Sequence, residues 1–214
     1  MDRGMRAGQW LGIEGVQLTG KTLGLVGFGA VASEVARIAL GAGMKIVAWN
    51  RSPRARPGVE FLSLERVLAD SDVLSLHLLL TDETKGFVSR ARIATMKRGV
   101  ILVNTARGAL VDEEAMIEAL RSGHIRHAGL DVFALEPLPA GHVLTTLENV
   151  TLSAHSAFRT PEASDTDNFS TRLARNMRKS VKTERDKKDV ETLIGIWLGK
   201  YQCVATDNPR LKEK

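Results

Sequence analysis

The sequence predicts an α/β protein built on a doubly wound parallel sheet, and three observations carry that prediction. Short apolar runs rich in β-branched residues recur between positions 22 and 155, and stretches with helical periodicity separate them. One run feeds a glycine turn, Gly27-Phe28-Gly29-Ala30-Val31-Ala32, which opens directly onto a helical stretch. Strands apolar on both faces and alternating with helices belong to parallel sheets covered by helical layers.

The elements follow in order. TLGLVG (22–27) is continuously apolar and too short for a helix, so it is the first strand, and the turn leads into a helix over 31–42. KIVAW (45–49) is the second strand, and helices over 63–69 and 86–97 bracket the strand DVLSLHL (72–78). VILVNTA (100–106) precedes a helix over 112–122, whose acids come early and whose glycine comes after, as a capped helix requires. HAGLDVF (127–133) and NVTLSAH (149–155) complete the strands. Further on, Phe169, Leu173, Met177 and Val181 make an i, i+4 stripe suited to a helix. KTERDKKD (182–189) reads as a solvated charge run, and Leu193, Ile194, Ile196, Trp197 and Leu198 form an apolar patch that must pack or find a partner.

Length and composition narrow the function classes. A chain of 214 residues with 43% hydrophobic content buries the core of one large or two small domains. The single cysteine, Cys203, excludes an internal disulfide and a cysteine-based metal cage, and no metal is expected. No run of about 18 apolar residues occurs, and the stretch MDRGMRAGQW lacks a signal-like apolar segment, so the expectation is a cytoplasmic protein without a membrane partner. Of the net charge of +5, +4 lies after position 164 and residues 1–164 carry only +1, so the body offers no basic face to nucleic acid.

In a doubly wound sheet the first strand-to-helix turn binds pyrophosphate, because free N–H groups and the helix dipole face the anion where glycine lets the backbone approach. Gly27 and Gly29 supply the turn and the approach, with Phe28, Ala30 and Val31 between and after them, and Ala32 takes the third place, which serves packing. The second strand ends in Asn50, Arg51 and Ser52, with Arg54 and Arg56 behind, where an acid would bind ribose hydroxyls in an NAD site. A guanidinium and a hydroxyl suit a 2′-phosphate instead, so NADP, as NADPH, is favoured over NAD.

Together the stretches LTGKTLGLVGFGAVASEVARIALGAGMKIVAWNRS, SDVLSLHLLLTDETKGFVS, MKRGVILVNTARGALVDEEAMIEALRSGHI and AGLDVFALEPLPAGHVLTTLENVTLSAH resemble the cofactor domain of the D-isomer-specific 2-hydroxyacid dehydrogenases. The likeness runs from about Met5 to Ala163. It implies hydride transfer between a nicotinamide cofactor and a small 2-keto or D-2-hydroxy acid, with glyoxylate or hydroxypyruvate favoured. It also implies three catalytic residues: Arg107 in NTARG, Glu136 in LEPLP and His155 in LSAH. The chemistry asks for such a set. A planar cation clamps a carboxylate and steadies the developing alkoxide, histidine donates a proton near neutral pH, and a carboxylate beside an imidazole orients it and favours its protonated form. Thr105 and Asp131 are implied beside the cofactor, Asp131 near the nicotinamide ring. His77 borders the cofactor as a packing or ribose residue, whereas His124, His127 and His142 lack metal-site spacing and are expected in solvated loops.

Some positions depart from the family pattern: Leu79 stands where proline is usual, and Ala154 and Ser156 flank the histidine. Members of the family also carry a substrate domain ahead of the region that starts here near Met5. Residues 1–20 therefore read as remnant helix and linker, 21–163 as the dinucleotide domain and 164–214 as a divergent basic tail. A homodimer, or a partner chain supplying the missing wall of the cleft, is implied. A catalytically incompetent NAD(P)-binding module and a gene remnant stay open as alternative readings.

Overall fold

A computed structural model describes residues 5–8, 10, 15–53 and 55–157. The expected tail helix, the charge run and the apolar patch lie outside the described residues, as does Arg54.

Seven strands form one sheet: β1 (Thr22–Val26), β2 (Lys45–Trp49), β3 (Val59–Phe61), β4 (Val73–Leu76), β5 (Val100–Asn104), β6 (Ile125–Leu130) and β7 (Val150–Leu152). Their spatial order is β3-β2-β1-β4-β5-β6-β7, with every neighbouring pair parallel. Helices α1 (Ala30–Gly41), α2 (Leu64–Asp70), α3 (Arg90–Thr95) and α4 (Glu113–Arg121) connect them.

Alternation along the strands divides the core into two layers. Leu23 and Leu25 of β1 with Ile46 and Ala48 of β2 face α1, where they meet Ala32, Ala36 and Ala39. Val26, Val47, Leu74 and Leu76 point the other way, onto Leu64, Val67 and Leu68 of α2 and the buried residues of α3 and α4. The helices start where polar caps permit: Ser63 accepts from the Arg66 amide, Ser89 from Arg92 and Asp112 from Ala115.

The boundaries differ from expectation where side chains end an element. The helix expected over 86–97 begins only at Arg90, because Gly86 closes a turn with φ +64° and Val88 is buried, bridged to Val111, with its N–H donating to Leu110 O. β3 was not expected, since three residues are too few to show a period. β5 stops at Asn104 and β7 at Leu152, each where a polar side chain engages the following loop.

The chain leaves β1 toward β2 on one side and returns to β4 on the other, so the C-terminal end of β1 is the point where the strand order reverses. The loops after β1, β2, β4, β5, β6 and β7 gather along this edge, where ligands of open α/β sheets bind. Among the described residues no helix is long and apolar enough to cross a membrane, and no group of His, Cys, Asp or Glu is arranged to hold a metal ion.

Candidate active site and cofactor cleft

The glycine turn is fixed by its neighbours. Gly27 has φ +88°, a left-handed conformation, and a Cβ there would stand 2.8 Å from His77 O. Its N–H donates to Trp49 O at 2.9 Å, and the His77 N–H donates to Val26 O at 2.8 Å, so the turn is tied to both flanking strands. Gly29 caps α1 without any side-chain hydrogen bond, the first turn of the helix holds no acid, and a Cβ on Gly29 would meet no protein atom. Open room, uncapped N–H groups and the positive end of a helix dipole fit a pyrophosphate. Ala30 and Val31 are exposed at this same end, whereas Ala32 is fully buried against the sheet, the packing role assigned to it. Phe28 turns its ring away, edge-on against Phe61 at 5.2 Å, which leaves only its backbone for a cofactor.

At the end of β2 the Asn50 side chain donates to Ser52 O at 3.1 Å and shapes the loop that presents Arg51 and Ser52 to solvent. The Arg51 guanidinium lies 3.8 Å from Glu83 Oε2, with both side chains more than four-fifths exposed. Thr105 is exposed just beyond β5. His77 pairs with Ser75 Oγ at 3.0 Å, and burial lowers its pKa, so it is a packed, neutral residue beside the turn.

Glu136 and His155 meet. The His155 Nδ1–H donates to Glu136 Oε2 at 2.7 Å, and the other carboxylate oxygen accepts from the Phe133 N–H at 2.9 Å. Glu136 titrates below the ordinary Glu value. The hydrogen bond from His155 is the main cause, partial burial opposes it, and the Phe133 amide and the charges of His155 and Arg107 add to it. Arg107 is exposed and bonds its own loop through Nη1 to Ala106 O at 2.6 Å.

Three features hold these side chains, and sequence reasoning missed the first two. Asn104, 1% exposed, donates from Nδ2 to Arg107 O at 2.9 Å and accepts from the Ala106 N–H at 3.1 Å, bending the chain into the arginine loop. Gly108 lets that loop press on the next one: a Cβ there would come within 2.5 Å of Ala134 N and closer still to the Phe133 carbonyl. Asn before a turn and Gly after Arg are the signals, but neither names its partner.

Asp131 is the third feature, and it holds the loop that follows β7. Its carboxylate is 4% exposed and accepts from Ser153 Oγ, from the Ser156 N–H at 2.9 Å and from the Ala157 N–H at 3.0 Å, while its carbonyl accepts from the His155 N–H at 2.8 Å. Burial alone would raise its pKa, yet the Ser153, Ala157 and Ser156 donors and the His155 charge hold it below the ordinary Asp value. His155 itself has φ +47°, a conformation that non-glycine residues seldom adopt, and the clasp around it maintains that turn.

His124 and His142 lie in loops, as expected, but half-buried, whereas His127 stands on β6. His124 Nε2 bonds Ile93 O at 2.9 Å, His127 Nε2 bonds Thr151 Oγ1 at 2.8 Å, and His142 accepts from the Leu144 N–H while lying 3.3 Å from Glu113. A cleft of about 710 Å³ beside α2 and the β2–β3 edge is lined by none of the residues assigned to chemistry.

A seven-stranded parallel sheet with a glycine turn at its reversal point defines a dinucleotide-binding domain. Residues 1–157 match the model of the D-isomer specific 2-hydroxyacid dehydrogenase NAD binding domain, and the chain belongs to that family. It is 47% identical over 152 residues to a glyoxylate reductase of Aeropyrum pernix, covering 69% of this chain and 45% of the relative. It is 44% identical over 165 residues to a hydroxypyruvate reductase of Thermotoga maritima, covering 74% and 54%. The chain thus spans about half the length of the curated relatives it matches. Among solved structures it resembles a D-isomer specific 2-hydroxyacid dehydrogenase from Xanthobacter autotrophicus in complex with NADPH, at 37% identity and TM-score 0.66, covering 72% of this chain and 50% of that one. It also resembles D-lactate dehydrogenase with NAD+ from Lactobacillus jensenii, at 29% identity and TM-score 0.71, covering 82% and 59%.

Proposed function

We propose that this chain supplies the cofactor-binding and proton-donating half of an NADPH-preferring reductase of small 2-keto acids, with glyoxylate or hydroxypyruvate as substrate. The single observation that supports it most is the 2.7 Å bond between His155 Nδ1 and Glu136 Oε2, at the sheet edge that carries the glycine turn. When bound, a reduced nicotinamide supplies the hydride. The α1 N-terminus with Gly27 and Gly29 receives the pyrophosphate, and Thr105 and the Asn50–Ser52 loop line the nucleotide. Arg107 holds the substrate carboxylate and the carbonyl oxygen that becomes negative. His155 donates the Nε2 proton to that oxygen, while Glu136 orients the imidazole through Nδ1.

The second wall of the cleft comes from another part of the full protein or from a partner chain, and the assembly is proposed to be a homodimer. Exposed Val31 and Ile38 on the outer face of α1 support a partner surface. The division at residues 20 and 163 belongs to the same reading, as does a cytoplasmic setting, supported by a sequence with one cysteine.

The test is NADPH oxidation with glyoxylate and hydroxypyruvate, comparing wild type with His155→Ala in the active assembly. The variant should lose about 10²- to 10⁴-fold in kcat, the usual worth of a general acid, with NADPH affinity unchanged. Equal kcat values, or turnover of neither keto acid, would overturn the proposal.

A further inference from the structure

We propose that Glu83 limits the preference for NADPH by competing with the 2′-phosphate for Arg51. The inference rests on the reading that Arg51 receives that phosphate, and it adds a second residue, on another loop, to the determinants of cofactor choice.

The observation is a contact across the cleft. β2 and β4 flank β1, so the loops leaving them rise on either side of the glycine turn. Arg51 Nη1 on the first loop and Glu83 Oε2 on the second approach to 3.8 Å above it, with side chains 88% and 84% exposed. Neither side chain packs against the core, so each is open to exchange partners.

Both loops are ordered by their own hydrogen bonds. Asn50 Nδ2 donates to Ser52 O at 3.1 Å in the first. In the second, the Thr84 hydroxyl donates to Leu79 O at 2.6 Å and accepts from the Thr81 N–H at 2.8 Å. The Lys85 N–H donates to Thr81 O at 2.9 Å and the Gly86 N–H to Ala109 O at 2.8 Å, which anchors the turn to the arginine loop of the active site. Glu83 is therefore carried toward Arg51 by a built turn.

The energetics differ between the two cofactors. A phosphate arriving on the guanidinium must displace the carboxylate and then lie beside it as a like charge. A free 2′-hydroxyl carries no charge and meets neither cost. An exposed pair at this separation contributes little, so the effect on NADPH is a modest factor, about 2- to 5-fold.

The test is fluorescence titration of NADPH and NADH with the full chain as wild type, Glu83→Gln, Arg51→Ala and the double variant. The expected result is an NADPH Kd about 2- to 5-fold lower in Glu83→Gln, an unchanged NADH Kd, and no effect of Glu83→Gln on NADPH in the Arg51→Ala background. An unchanged or weaker NADPH affinity in Glu83→Gln, an equal gain for NADH, or a gain that persists without Arg51 would overturn the inference. Arg51→Ala alone reads on the underlying assignment: if NADPH affinity is unchanged there, the 2′-phosphate reading falls and this inference falls with it. If Arg51→Ala weakens NADPH and Glu83→Gln changes nothing, the inference alone falls.

Discussion

Replacing Asp131 by Asn removes the charge around which the histidine loop is wrapped. In the wild type the carboxylate accepts from Ser153 Oγ, the Ser156 N–H at 2.9 Å and the Ala157 N–H at 3.0 Å. An asparagine retains one carbonyl oxygen, and its amide turns a donor toward at least one of those donors. Bonds to a charged acceptor are worth about 1.5–3 kcal/mol each. Two are lost or weakened, but Ser156 and Ala157 are exposed and regain water, so the net cost is about 2–4 kcal/mol. Equilibrium urea unfolding of the full chain at neutral pH measures this directly. The acid dependence carries the second half of the argument. Because Asp131 titrates below its ordinary value in the folded state, its stabilisation is fully present above about pH 4, the unfolded value, and is lost as pH falls through the folded one. The gap between wild type and Asp131→Asn should therefore close in acid. A gap under about 1 kcal/mol at neutral pH, well below the range expected for charged bonds, or one that fails to narrow on acidification, would refute the clasp.

Two further outcomes follow from the site. Gly108→Ala forces a Cβ into the Phe133–Ala134 backbone, and because backbone cannot rotate away the cost should reach the upper end of overpacking, about 3 kcal/mol, read as a lowered thermal midpoint; an unchanged midpoint would show that the two loops separate freely. Glu136→Gln replaces the charged acceptor 2.7 Å from His155 Nδ1 by a neutral one and should lower kcat for reduction about 10-fold, the worth of one charged hydrogen bond of about 1.5 kcal/mol, with NADPH affinity unchanged; an unchanged kcat would leave Glu136 as a turn residue only.

Much of the fold was legible because its signals are local and repeated. Each long buried strand is a short apolar run, and the α4 caps, Asp112 with Glu113 and Glu114, are written next to the helix they start. β3 was not legible: Val59, Glu60 and Phe61 pair with Ile46, Val47 and Ala48, partners distant in sequence that three residues cannot announce. The helix beginning at Arg90 was placed early for a related reason, since Val88 is apolar in either conformation and only its bond to Leu110 O decides between them. At the site, Glu136 and His155, both singled out by their motifs, stand 2.7 Å apart, while the acceptor role of Asp131 toward Ser153, Ser156 and Ala157 could not be read in advance. An acid after a strand looks the same whether it faces a ligand or a loop 22 residues away.

The same contacts explain how three catalytic candidates from three strand ends keep one geometry. Asn104 shapes the Arg107 loop, and Gly108 seats that loop on the Phe133–Ala134 backbone. The Phe133 N–H holds Glu136, Glu136 holds His155, and Asp131, two residues before Phe133, holds the loop on which His155 stands. The contacts link residues 104–108 to 131–136 and residues 131–136 to 153–157, so the middle segment joins the other two. The glycine turn is tethered separately, to Trp49 O and beside His77. Damage to this linked set should therefore appear in proton donation and substrate binding before it appears in cofactor affinity, because the set and the turn share the sheet edge but none of the hydrogen bonds that fix them.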